Sequence, residues 1–566
     1  MSTSAIASRS SRVHSSGGSI VRNTITARLV PRIPFWIVLS SLFVAVVAAH
    51  ASLLRLPYYW DEAGYYIPAA YDFFRTGALV PYSTLSNAHP PLPSIVLAFA
   101  WKLFHFAPFV TRITMCLVAA VALSAVWRLA VLTTGKVSVA AATVLLTGLY
   151  PVFFAQSSLA HADMFAAAAT LWALVLFLED RLFLTAFVFT LAALAKETAI
   201  ITPLALAVWE SWRPHSHLRH RLRKITALLM PVLPLAGWYL YHWHKTGFVF
   251  GNPQFFRYNA TANLSPQRIL VAFVHRLAHL TTHMNMFVPV AAMLACLLLP
   301  PVVEDDANPA STHLRRRIAA AHQGVFYVVL LANAVLFSIL GGALLTRYLL
   351  PLYPLILLLA ANTFRRHLRH WTGLVALSAA GFIAALFINP VYGFAPEDNL
   401  EYATFIRLHQ AAIRQIVGHV PHPVVLSAWP ATAELSVPFL GYVDHPIPVV
   451  PIDDFSASEI AKAAALPPDW NAALVFSTKY DPPPRALSTL RHDNQGMDTR
   501  YFGFHHDLPP ATVAHLLGGT VAWHAESKGE WAAVVVFARQ PGPAWADAKA
   551  ADSARATSAA SPFSSR

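Results

Sequence analysis

The chain has 566 residues, of which 56% are hydrophobic and only 12% charged, with a mean hydropathy of +0.49. A soluble globule of that composition would leave far too much apolar surface in water, so the chain reads as an integral membrane protein. The formal net charge of +13 would suit a nucleic-acid binder, but the arginines fall in short clusters between apolar runs; the charge therefore reports membrane topology, and nucleic acid is not an expected partner.

Residues 1–32 carry Arg9, Arg12, Arg22, Arg28 and Arg32 among Ser and Gly, which predicts a disordered cytoplasmic tail. The apolar run from Phe35 to Leu54 is long enough to cross a bilayer, and it lacks the small-residue cleavage site of a signal peptide. It carries Tyr58-Tyr59-Trp60-Asp61-Glu62-Ala63-Gly64-Tyr65-Tyr66 to the far surface. Further apolar runs cover 109–132, 138–156, 163–178, 182–195, 198–210, 225–243, 286–303, 323–342, 348–361 and 371–388, giving about eleven crossings. With that alternation the Arg213–Lys224, Arg315–Arg317 and Arg365–Arg369 clusters share the side of the basic N-terminus, as the positive-inside rule requires. The alternation closes only if Pro90–Phe106, interrupted by Pro91, Pro93 and Lys102, lies along or dips into the outer leaflet. The Asp61 loop, the loop from about 244 to 285 and everything after Pro390 then fall outside the cytoplasm.

Beyond Pro390 the pattern changes. A helical pattern over Glu401–Val417, β-rich runs at Val424–Ser427, Val449-Val450, Leu474–Phe476 and Val534–Phe537, and an amphipathic Ser456–Ala465 alternate as in an α/β domain. The expected organisation is thus a tail over 1–32, a transmembrane module over 33–390, an extracytoplasmic α/β domain over 391–540 and a disordered tail over 541–566. Cys116 and Cys296 both lie in apolar runs, which leaves neither a disulfide framework nor a thiolate metal site.

Several short motifs fall in a distinctive order: Asp61-Glu62-Ala63-x-Tyr65-Tyr66 after the first span, Pro90-Pro91-Leu92, Arg112 opening the next span, and His161-Ala162-Asp163-Met164. Lys196 follows a Leu-Ala-rich span, and Arg347-Tyr348-Leu349-x-Pro351-x-Tyr353-Pro354 comes last. Over about residues 33–390 this resembles the GT-C glycosyltransferases of the protein O-mannosyltransferase and aminoarabinose-transferase type. The resemblance implies a polytopic enzyme that moves a sugar from a polyprenyl-phosphate donor to a lipid, glycan or protein acceptor outside the cytoplasm, with Asp61 as the base. The chemistry has its own logic: an attacking hydroxyl must lose a proton, which a positioned carboxylate can take. A leaving lipid phosphate gathers negative charge that cations must offset. Asp61, Glu62 and Asp163 are the candidate catalytic acids, and His89, Lys196, Arg347 and Tyr348 the candidate substrate contacts.

Each of these has a structural alternative. Asp61 and Glu62 could cap an interfacial helix, Asp163 could be an N-cap, and Lys196-Glu197 could be a snorkelling ion pair. Arg347-Tyr348 could be an interfacial anchor, although a lone outer Arg runs against the charge bias. Family members often carry Glu-Lys before the Pro-Pro, where this chain has Ala88-His89; His89 could meet a phosphate or a metal instead. His275, His279 and His283 recur every four residues on one helix face, a row that suits either a metal ion or solvent, so a divalent metal cofactor stays open. Two other classes compete: a secondary transporter, whose ionisable groups would sit deep in its spans, and a non-catalytic envelope assembly protein.

Overall fold

The computed structural model describes residues 34–213, 217–260, 264–305, 312–480, 499–502 and 505–538. The tails expected over 1–32 and 541–566 lie outside these residues.

The transmembrane module is helical. Among the described residues three helices are long and apolar enough to cross a membrane: Pro108–Thr134, Leu218–Thr246, which is interrupted at Met230-Pro231, and Ala320–Ile339. Pro266–Asn285 and Phe287–Leu297 together would make a fourth, broken span bent by 100°. Six further apolar helices among the described residues have between 10 and 17 residues. At 1.5 Å per residue such helices fall short of a ~30 Å hydrocarbon core, so the count of about eleven crossings rests on these shorter helices as well. Proline accounts for one of the breaks. The run 138–156 divides into Val137–Leu149 and Pro151–Gln156, because Pro151 offers no N–H to continue the hydrogen-bond ladder. Pro90–Phe106 contains a helix of 13 residues, Leu92–Phe104.

Small residues let the helices approach closely. Pro108–Thr134 buries Ala119, Ala120, Ala122 and Ala125 and packs on Ala162–Leu178, which buries Ala166, Ala167, Ala168 and Ala173. Between helices Phe287–Leu297 and Ala320–Ile339 lies a short hairpin of β1 (Val303–Asp305) and β2 (Thr312–Leu314), antiparallel. Glu304 of β1 accepts from Arg365 at 2.6 Å and lies 3.2 Å from Arg315.

The described residues after 400 form an α/β layer. Helix Glu401–His419 packs against a mixed sheet of β3 (Val425–Ala428), β4 (Val449–Ile452), β5 (Ala472–Phe476), β6 (Thr520–Ser527) and β7 (Glu530–Val536), in the order β4-β3-β5-β7-β6. β3 runs parallel to both neighbours, and β7 antiparallel to β5 and β6. β3 and β5 are buried throughout, as expected of central strands covered on both faces. Ser456 caps helix Ala457–Ala464 by accepting from Glu459 N–H. The core of this layer takes in Leu53, Leu56 and Tyr59 after the first helix, Phe154 and Leu159, and Leu386 of the last apolar helix. The α/β layer therefore shares one core with the segment that carries Asp61.

Candidate active site

Trp60 has a positive φ of 41°, a conformation bulky residues rarely adopt, and a π-helical turn follows over Glu62–Tyr66. Asp61 begins that turn, but its side chain makes no capping bond. It reaches instead to Arg347, 286 residues along the chain, and forms an ion pair with one terminal nitrogen of the guanidinium. Arg347 lies in the short turn Thr346–Leu349. Its other terminal nitrogen donates to both oxygens of Glu397, and its Nε is 3.3 Å from Oδ2 of Asp163. Asp163 Oδ1 accepts from Lys196 Nζ at 2.6 Å, and Lys196 lies over the Tyr348 ring, 3.9 Å from its centroid. Three carboxylates thus share two cations. Only Asp61 among the three is open to solvent to any extent, with 21% of its side chain exposed against 3% for Asp163 and 4% for Glu397.

Glu397 comes from the turn Pro396–Asp398 just after the last apolar helix. Burial pushes its carboxyl up to about 8, with Asp61 and Asp398 adding to the rise against the opposing pull of Arg347. Its neighbour Asp398 accepts from Thr346 Oγ1 and stands 3.0 Å from His283 Nε2. Glu397-Asp398 therefore holds both ends of the Thr346-Arg347 pair. The loop before that pair is clasped from behind by two buried arginines. Arg276 donates to the carbonyls of Phe337 and Leu345 at 3.0 and 2.8 Å, and Arg268 to that of Gly341 at 2.7 Å.

The other expected residues separate into groups. Glu62 points away from Asp61 and has no exposed surface. Its carboxylate accepts from Arg112 at 2.5 and 2.9 Å, from Tyr59 N–H at 2.8 Å and from Ala160 N–H at 2.5 Å. Arg112 is equally buried and also donates to the carbonyls of Pro57 and Ser158. Asp163 lies in the first turn of its helix, whose N-cap is His161, and spends its oxygens on Lys196 and Arg347. Lys196 does not pair with Glu197; Glu197 is bonded by His89 Nδ1 at 2.8 Å. His89 stacks on Tyr66 with ring centroids 6.0 Å apart.

His275 and His279 lie on the helix Pro266–Thr281, with His283 just beyond it, and all three line the cavity described below. This row does not fit a metal ion: His283 uses Nε2 on Asp398 and Nδ1 on the Tyr392 hydroxyl. Among the described residues no group of three or more His, Cys, Asp or Glu could hold a metal.

Asp61 and several of these groups border one cavity of about 2210 Å³, whereas Glu62, Arg112 and Asp163 lie behind its wall. Asp61, His89, Lys196, Arg347, Tyr348 and Glu397 line it. An aliphatic and aromatic wall comes from Ile201, Leu204, Leu235, Tyr239, Phe337 and Leu340, and Trp429 enters from the α/β layer. The arrangement offers a partly exposed carboxylate paired with Arg347, a second cation, Lys196, joined to Arg347 through Asp163, and an apolar recess in the same cavity. Sequence reasoning missed Glu397 and Asp398, although a second adjacent acid pair after the last apolar run was a visible signal.

A family model described as dolichyl-phosphate-mannose-protein mannosyltransferase matches residues 88–241. The fold is similar to the crystal structure of ArnT from Cupriavidus metallidurans bound to undecaprenyl phosphate, with a TM-score of 0.53 and 16% identity over 90% of this chain and 99% of that one. It is similar to the same organism's ArnT in the apo state, also with a TM-score of 0.53 and 16% identity, over 88% and 97% of the two chains. No curated protein matches the chain by sequence. The GT-C resemblance read from the motifs is borne out, in the matched segment and in the fold.

Proposed function

We propose that the protein is a multi-pass membrane glycosyltransferase that takes a sugar from a polyprenyl-phosphate donor and transfers it to an acceptor outside the cytoplasm. The N-terminus and the arginine clusters lie inside, and the Asp61 loop and the α/β layer outside. The observation that carries the reading is the partly exposed Asp61 carboxylate, paired with Arg347 at the wall of a large cavity with an apolar recess. The fold it shares with ArnT, which one structure holds with undecaprenyl phosphate, supports the donor class.

In this reading the recess takes the polyprenyl chain, and the donor phosphate meets Lys196 and Arg347. Both cations are already paired with carboxylates, so the arriving phosphate competes for them. As Arg347 turns to the phosphate, Asp61 loses its partner and becomes free to take the acceptor proton. The same cations then face the charge that develops on the leaving phosphate. Glu397 and Asp163 hold Arg347 and Lys196 in place, and Glu62 with Arg112 braces the turn that carries Asp61. His89 and Tyr348 border the phosphate position.

The test is Asp61→Asn in purified protein in nanodiscs. Loss of a general base costs ~10²–10⁴-fold in rate, whereas Asn keeps the shape of the side chain. Transfer from a polyprenyl-phosphate sugar is expected to fall by that factor, with the melting temperature and undecaprenyl phosphate binding nearly unchanged. Transfer within a few-fold of the parent would remove Asp61 as the base.

A further inference from the structure

Donor and base leave one wall of the cavity unused. Trp60 directly precedes Asp61, and Trp429 follows β3 of the α/β layer; both are partly exposed and line the cavity. Their rings meet nearly at right angles, with centroids 4.8 Å apart and an interplanar angle of 84°. Tyr65 stands 6.5 Å from Trp429. Neighbours hold both indoles. Trp60 packs edge-on to Phe405 at 5.7 Å. Trp429 lies so close to Gly64 that a Cβ there would fall 2.7 Å from the ring.

An indole face carries a negative quadrupole, and it attracts the polarised C–H bonds on the apolar face of a sugar ring while leaving the hydroxyl edge free. Two fixed indoles forming a corner beside a carboxylate suit a compact ring that is apolar on its faces and hydroxylated at its edge. An aliphatic chain has the recess lined by Leu204, Leu235 and Leu340, on other elements. A peptide would call for backbone hydrogen-bond partners, which indole faces do not supply.

We propose that Trp60 and Trp429 form a subsite for a pyranose ring of the acceptor, so that the acceptor is a glycan or glycolipid whose sugar hydroxyl is presented to Asp61. This rests on the transferase reading above. The acceptor oxygen bonds to the anomeric carbon of the donor sugar as the bond from that carbon to the phosphate oxygen breaks. The electron pair leaves on the phosphate, and the hydroxyl proton passes to Asp61.

The test uses the full chain in nanodiscs and saturation-transfer NMR with methyl gluco-, manno- and galactopyranoside, with glycerol as the ring-free control. Ring protons of at least one glycoside are expected to receive saturation above glycerol. The signal should fall about fivefold in Trp429→Ala, the order an aromatic contact supplies, and return in Trp429→Phe. Trp429→Leu, which keeps apolar bulk, carries the comparison if the alanine variant does not fold. Thermal shifts with undecaprenyl phosphate should be the same in every variant. Ring protons no stronger than glycerol in the parent, or unchanged in the Ala and Leu variants, overturn the subsite alone while the undecaprenyl phosphate shift persists. A parent with no such shift overturns the transferase reading and the subsite with it.

Discussion

Glu62 sits one residue from Asp61, yet it accepts from Arg112 and from two backbone N–H groups in a fully buried pocket, while Asp61 faces the cavity. Glu62→Gln would leave the Arg112 guanidinium buried without a counter-charge. Removing one partner of a buried pair costs about 3–5 kcal/mol, so a large drop in melting temperature is expected, in contrast to the near-parental melt of Asp61→Asn. A Glu62→Gln variant that melts with the parent would show that the pair is not a brace. From sequence the two acids were indistinguishable, because what separates them is a partner: Arg112 lies 50 residues away and Arg347 lies 286 away. Local pattern fixes which residues stand at an interface, whereas such pairings depend on how distant helices meet. The adjacent Lys196-Glu197 pairing that the sequence allowed is likewise not formed, since Glu197 turns to His89 and Lys196 to Asp163.

At the scale of elements, the α/β layer was legible where alternation and β-branched residues mark strands, as in β3, β5 and β7. It was less so at β6, Thr520–Ser527, where Trp523, His524 and Glu526 blur the pattern and most positions are exposed. The broken apolar runs were hidden for another reason: hydropathy does not register the lost N–H of Pro151. Within this layer Glu530 of β7 is nearly fully buried and accepts from Ser477 Oγ. Burial pushes its carboxyl up to about 8, above the ordinary value of about 4.3. Between those values the folded state holds the proton more tightly than the unfolded chain, so stability is greatest below the window and is lost as pH rises through it. Glu530→Gln removes this contribution, and its melting temperature should decline less than the parent's between pH 5 and pH 8. Identical slopes for parent and variant would rule Glu530 out as the titrating group.

At the scale of the whole molecule, the shared core ties the α/β layer to the segment after the first helix. Tyr59 meets Tyr402 and Phe405 edge-on, Tyr442 donates to the Tyr58 carbonyl at 3.0 Å, and Trp429 rests against Gly64. The layer and the Asp61 turn must therefore stand on the same side of the membrane, which holds whichever shorter helices cross. The proposed orientation comes from charge, which puts Arg315, Arg316 and Arg317 on the opposite, cytoplasmic face. Cysteine labelling reads this directly, because the native Cys116 and Cys296 are buried and leave little background. In intact cells permeable to small molecules only as far as the plasma membrane, an impermeant maleimide should label Lys462→Cys, whose parent side chain is 72% exposed. It should label Arg316→Cys only after the membrane is opened. The reverse pattern would turn the molecule over and put the cavity on the wrong side for an extracytoplasmic acceptor. Labelling of both positions in intact cells would break the alternation of spans, and with it the charge argument that orients the site.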